Sequence, residues 1–311
     1  MSALPRAASA PAAAGRRDAL AVEQTARLAK IRRRRQSGTR LEWALVHLAF
    51  IVIIVFFLAP FVWLLSAAFD RHAEAYIRWP AHPTLDNFVV IFRDYAFGRA
   101  MLNSLFVAVC TMILVVFTVS LAGFSLSRLP FRRKNALTYT ILLLQTMPLS
   151  ATMVPIYGLA GDLGLRNSYL GLILIHSTTE LPFLVWMMKG FFDSVPRYLE
   201  EAAWIDGRSK LRAWWEVVLP VAKPGIGLAA GLSFLNSWSE ILMVLILVDK
   251  QSMMTVPLAF YQTYHTVGGY TEVRYEIVAA MGVLYVLPVL ALFLATRKLM
   301  VRGLMGTTQG L

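Results

Sequence analysis

Six long apolar blocks run along the chain, at about residues 43–69, 101–126, 136–160, 169–188, 225–248 and 277–300. Each supplies roughly the 20 residues that a helix needs to cross the hydrocarbon core of a bilayer. The pattern predicts an all-α integral membrane protein with six transmembrane helices. Pro60, Pro148, Pro155, Pro182 and Pro288 fall in or near these blocks. Membrane helices tolerate proline where neighbours satisfy the freed carbonyls, and soluble helices tolerate it poorly. The blocks form a membrane domain over 41–311. Residues 1–40 carry no such block and no small-x-small cleavage site behind one, so a secretory leader is not expected. They are alanine-rich and then basic, and predict a mostly disordered cytoplasmic tail.

Two polar interruptions are longer than turns. The first, about 70–100, carries Trp79-Pro80 and then His82-Pro83-Thr84-Leu85-Asp86-Asn87-Phe88. These predict turns followed by a short amphipathic helix. Such a loop either receives a partner from outside or caps the helix ends. The second, about 193–223, holds Glu201-Ala202-Ala203, Gly207, Val217-x-Leu219-Pro220 and Pro224. Pro196 suits the first turn of a helix. Tyr198, Leu199, Ala202 and Ala203 then share a face on which two small side chains admit a foreign surface, with Glu200, Glu201 and Asp206 at its edge. Gly207 stops that helix in the left-handed conformation. Ser209 caps a second helix, carrying Leu211, Trp214, Trp215 and Val218, which Pro220 ends. Helix, glycine elbow and helix make a peg on a stiff base.

Charge orients the blocks. The chain is 58% hydrophobic and 15% charged, with a formal net charge of +12. With the N-terminus in the cytoplasm, 23 of the 30 lysines and arginines lie in the tail, the even-numbered connections and the C-terminus. That distribution obeys the positive-inside rule. Both termini and the Glu-Ala-Ala loop are therefore expected on the cytoplasmic side of a cell (inner) membrane. The same distribution argues against nucleic acid as a partner, because the positive charge is spread by topology rather than over one face. Arg32–Arg35 reads either as a contact with anionic membrane lipid or as a topology-setting cluster. The single cysteine, Cys110, allows no internal disulfide.

Catalytic chemistry is sparse. No Gly-x4-Gly-Lys-Ser/Thr occurs, so phosphates have no loop to cradle them. The five histidines show no metal spacing, and no metal site is expected. The notable polar groups inside apolar blocks are His176, Glu180 and Glu240. Glu180 follows His176 by one helical turn, so the two can pair on one face. A carboxylate at membrane depth marks either a solute path or a structural hydrogen bond. Asn236 and Trp238 join Glu180 and Glu240 as possible path residues, Trp238 through stacking of its ring, and Gln145 and Thr146 are weaker candidates. Gly227 and Gly231, four apart, predict close helix packing.

With these residues in place the chain resembles the permease subunits of carbohydrate-type ATP-binding-cassette importers, like the smaller permease of the maltose importer. Glu201-Ala202-Ala203, Gly207 and Val217-x-Leu219-Pro220 match the family's loop motif, with Val217 where isoleucine is usual. Pro83–Phe88, Asn103-Ser104, Ala122–Arg128, Pro155-Ile156-Tyr157 and the Leu304–Gly310 tail are also similar to family segments. The likeness covers about residues 41–311. Trp238-Ser239-Glu240 departs from it, since asparagine usually follows the tryptophan, and the basic tail is longer than the family needs. The resemblance implies the type I (MetI-like) importer fold with a cytoplasmic coupling helix. It implies that Glu201, Ala202, Ala203, Asp206, Gly207, Leu219 and Pro220 couple to an ATPase, and that Gly306, Thr307, Thr308, Gln309 and Gly310 reach into the ATPase dimer. The implied partners are a second homologous permease, a dimer of cytoplasmic ATP-binding subunits and an extracellular or periplasmic solute-binding protein. By the same resemblance ATP and magnesium belong to the ATPase, and this chain is expected to be a non-catalytic subunit that binds no cofactor. The competing readings are a self-sufficient secondary transporter or channel for a small polar solute, which lacks an obvious inverted repeat, and a membrane enzyme, which lacks a catalytic cluster.

Overall fold

The computed structural model describes residues 40–130, 132–265 and 273–306. Every regular element among them is helical. In chain order these are α1 (Arg40–Ala68), α2 (Asp86–Asp94), α3 (Phe97–Arg128), α4 (Lys134–Leu144), α5 (Leu149–Asp162), α6 (Tyr169–Ser194), α7 (Tyr198–Ile205), α8 (Lys210–Val221), α9 (Lys223–Ser239), α10 (Leu242–Leu247), α11 (Val256–His265) and α12 (Tyr275–Gly306). Contacts divide the chain into two units, 1–62 and 63–311. The described part of the first is the apolar body of α1. The tail predicted over 1–40 lies outside the described residues, apart from Arg40 at the start of α1.

Among the described residues four helices are long and apolar enough to cross a membrane without a break: Glu42–Ala68, Phe97–Arg128, Tyr169–Ser194 and Tyr275–Arg297. Two bent pairs bring the number to as many as six: α4 with α5, bent by 90°, and α8 with α9, bent by 77°. The sequence predicts continuous spans at 136–160 and 225–248, and the structure breaks both. The first breaks over Gln145–Pro148. The Gln145 N–H turns back to the Leu142 and Leu143 carbonyls, and Pro148 is extended at ψ 132° before α5 begins. Proline disfavours helical backbone in the residue before it. The second breaks at Glu240, also extended at ψ 122°. Its own carboxylate stands in for the missing turn, Oε1 accepting the Met243 N–H at 3.0 Å.

Pro220 does not end the helix that begins at Lys210. The chain widens into a π turn over Trp214–Val218, with the Leu219 N–H reaching the Trp214 carbonyl, and continues helically to Val221. Widening a turn by one residue accommodates a proline, which has no N–H to give. The bend comes at Ala222 instead, and Pro224 then occupies the first turn of α9.

In the second unit α3, α6 and α9 pack together. The α3–α6 approach is close enough that a Cβ on Gly123 would sit 2.9 Å from the Met188 Cβ. Gly225, Gly227, Ala229 and Gly231 are all buried along α9, as a small-residue packing face requires. Buried amides close the remaining joints. The Asn103 Nδ2 donates to the Ser252 and Met254 carbonyls at 3.0 and 2.8 Å, and its Oδ1 accepts the Tyr169 hydroxyl at 2.7 Å. Ser104 Oγ accepts the Val256 N–H at 2.8 Å. Asn87 Nδ2 donates to the Ala68 and Asp70 carbonyls at 2.9 and 2.8 Å, which fixes α2 beside the end of α1.

Candidate functional site

Helix α7 follows Pro196 and stops at Gly207, whose φ of +81° is the left-handed conformation expected there. The Gly207 and Arg208 N–H groups close on the Trp204 and Ala203 carbonyls, both at 3.0 Å. This is the hydrogen-bond pattern of a glycine-terminated helix. Ser209 Oγ then accepts the Arg212 N–H at 3.3 Å and caps α8.

The faces of α7 differ from the expectation. Leu199 and Ala203 do not share an outward face with Tyr198 and Ala202. Ala203 is 3% exposed, and Leu199 packs against the apolar cluster around Phe192, Trp214 and Val218. The outward face is Tyr198, Glu201, Ala202 and Ile205, at helical i, i+3, i+4, i+7 spacing. Ile205 is 87% exposed and Tyr198 is 65% exposed. Asp206 and Gly207 are exposed beside them. Leu219 is partly buried against the same cluster, and Pro220 lies on the continuing helix rather than at its end.

Glu200 is not an edge charge. It is 4% exposed, and its carboxylate accepts the Arg128 Nε at 2.5 Å. Arg128, the last residue of α3, also donates to the Val195 carbonyl at 2.7 Å. Beside it Ser127 Oγ donates to the Asp193 carboxylate at 2.6 Å, and Lys189 holds the other carboxylate oxygen at 2.6 Å. The C-terminal end of a membrane-length helix is thus tied to both sides of the turn that starts α7. The sequence signal was present, in an arginine closing an apolar block and two adjacent glutamates.

The second site is a cavity of about 800 Å³ framed by both helix breaks. Gln145, Thr146, Glu180, Asn236, Ser239 and Glu240 contribute its polar lining. Glu180 is 6% exposed, and its Oε2 has no hydrogen-bond partner. It does not pair with His176, whose Nδ1 instead meets Ser237 Oγ at 2.9 Å. Trp238 is placed elsewhere than the sequence reading put it. It is 1% exposed, between the rings of Phe234 and Tyr285 at 5.6 and 5.4 Å, so both of its faces are already covered. Residues i and i+2 on a helix point to different sides, so Asn236 opens on the cavity and Trp238 does not. Of the proposed C-terminal contacts, Gly306 ends α12, and Thr307, Thr308, Gln309 and Gly310 lie outside the described residues. No cluster of metal-ligating side chains occurs among the described residues.

In the segment between α1 and α2, residues 70–84 line an open pocket of about 700 Å³, with Asp70, Arg78, Trp79 and His82 among them. The His72 N–H and the Arg78 guanidinium, each 3.0 Å from the Asp70 carboxylate, hold its pKa below the ordinary value.

Comparison with known proteins places this architecture. A sequence model described as the binding-protein-dependent transport system inner membrane component matches residues 115–305. The sulfoquinovosyl glycerol transport system permease of Agrobacterium fabrum is 31% identical over 257 residues, covering 81% of this chain and 89% of that protein. The maltodextrin transport system permease of Bacillus subtilis is 33% identical over 229 residues, covering 73% and 81%. A solved bacterial importer of the acidic polysaccharide alginate superposes with a TM-score of 0.73 at 20% identity, over 84% of this chain and 97% of that one. Apolar helices, bent spans and a glycine-elbowed loop are thus those of a multi-pass inner membrane protein without catalytic function of its own, and the chain belongs to the binding-protein-dependent inner membrane components, the permeases of carbohydrate ATP-binding-cassette importers.

Proposed function

We propose that this chain and a second homologous permease line the route of a sugar or polyol across the membrane, and that α7 couples it to ATP hydrolysis by a cytoplasmic ATPase dimer. Both termini and the 193–223 loop face the cytoplasm, and the 70–84 pocket faces the solute-binding protein outside. The observation that carries this reading is the outward face Tyr198–Glu201–Ala202–Ile205. It is an uncovered apolar-and-acidic strip on a short helix, rooted by Arg128 in the end of a long span. Glu201 meets a basic group of the ATPase, and Ala202 lets its groove approach the backbone. The 306–310 tail approaches the nucleotide side of the ATPase dimer, where ATP and magnesium are bound. The sugar class follows the relatives, and the solved importer complex with an alginate pentasaccharide-bound periplasmic protein supports the outer partner.

Gly207 tests the coupling. No atom lies within 4 Å of where a Cβ would sit, so substitution acts through backbone strain at φ +81° and not through crowding. Strain of this kind is worth roughly 1–3 kcal/mol. Gly207→Val in the assembled complex is expected to abolish solute-stimulated ATP hydrolysis while membrane insertion stays normal. Wild-type turnover in that variant refutes the assignment.

A further inference from the structure

The cavity between the helix breaks has an acidic wall. The 145–148 break and the Glu240 break both line it, and backbone departs from helix at membrane depth only where protein, water or solute answers its polar groups. Glu180 is buried, lines the cavity and leaves Oε2 without a partner. Glu240 lines it too, with Oε1 engaged by the Met243 N–H. The two carboxylates therefore face one and the same cavity. No lysine, arginine or histidine is among the lining residues, so no cationic side chain on this wall offsets the two carboxylates. A charge lining a cleft with low-dielectric walls acts strongly on whatever enters.

We infer that Glu180 and Glu240 are specificity-determining residues that sort solutes by charge. Neutral polyhydroxyl solutes pass, because their hydroxyls donate to the carboxylates, and anionic sugars are disfavoured. The inference rests on the proposed solute path and adds the charge class of what travels it.

The test reads the potential in the cavity directly, without needing the natural solute. Ser239→Cys places a near-isosteric thiol on the lining beside Glu240, in a Cys110→Ala background that removes the chain's only native thiol. The assembled transporter, with cysteine-free partner subunits, is labelled with a trimethylammonium and a sulfonate methanethiosulfonate of equal size. Rates are normalised to those with a small free thiol. The cationic reagent is expected to be favoured by about tenfold, and the preference should collapse towards one in Glu180→Gln/Glu240→Gln. A normalised ratio near one with both carboxylates present overturns the charge filter, and this measurement needs no substitution of either carboxylate. A preference that survives in the double glutamine variant overturns it as well. Labelling by neither reagent, in resting and ATP-trapped complexes alike, overturns the path itself and the inference with it.

Discussion

Adjacent glutamates meet opposite fates at the start of α7. Successive residues on a helix point about 100° apart, so Glu200 turns inward to Arg128 and Glu201 turns outward. The ion pair is enclosed, with side-chain exposures of 11% for Arg128 and 5% for Glu200. Removing one partner of such a pair leaves an uncompensated buried charge and costs about 3–5 kcal/mol. Glu200→Ala is therefore expected to lower the thermal unfolding midpoint of the purified transporter sharply, whereas Glu201→Ala should leave it in place. Differential scanning fluorimetry in detergent distinguishes them, and equal midpoints would remove Glu200 from this role. The paired acids were visible in the sequence, but which of them was structural was not. That choice depends on the azimuth of α7, which Phe192, Trp214 and Val218 set by packing beneath it.

The same azimuth divides the two alanines. Ala203 is pressed into the apolar cluster, and Ala202 is free. Overpacking a filled core costs roughly 1–3 kcal/mol. Ala203→Leu is expected to destabilise the isolated chain. Ala202→Leu should leave its stability unchanged and instead weaken retention of the ATPase on co-purification. Identical behaviour of the two variants would mean that α7 does not sit as described. The start and stop of this element were legible, because Pro196, Gly207 and Ser209 act through local backbone geometry. The continuation through Pro220 was not. Hydropathy likewise located the apolar blocks but not their breaks, because an extended residue such as Glu240 is no less apolar in its surroundings than a helical one. The break shows only once the Met243 N–H is seen to bond the Glu240 side chain.

Across the whole molecule, a few buried amides join segments that are far apart in sequence. Asn103 binds carbonyls 149 and 151 residues away and accepts the Tyr169 hydroxyl 66 residues on. Each such bond is worth about 1 kcal/mol, and groups left unsatisfied cost more. Asn103→Ala is expected to destabilise the protein by about 2–4 kcal/mol, read as a lowered midpoint in the same thermal assay. A midpoint within error of wild type would show that these joints hold without it. The sequence by itself determined the all-helical class, the number of apolar blocks, the glycine elbow and the family motif. Each of these follows from local composition, spacing or backbone preference. Tertiary structure alone decided that Glu200 is buried with Arg128, that Trp238 is sealed between Phe234 and Tyr285, and that Glu180 and Glu240 share one wall. Those outcomes depend on which helix faces meet, and contacts between residues far apart in the chain leave no periodic trace along it.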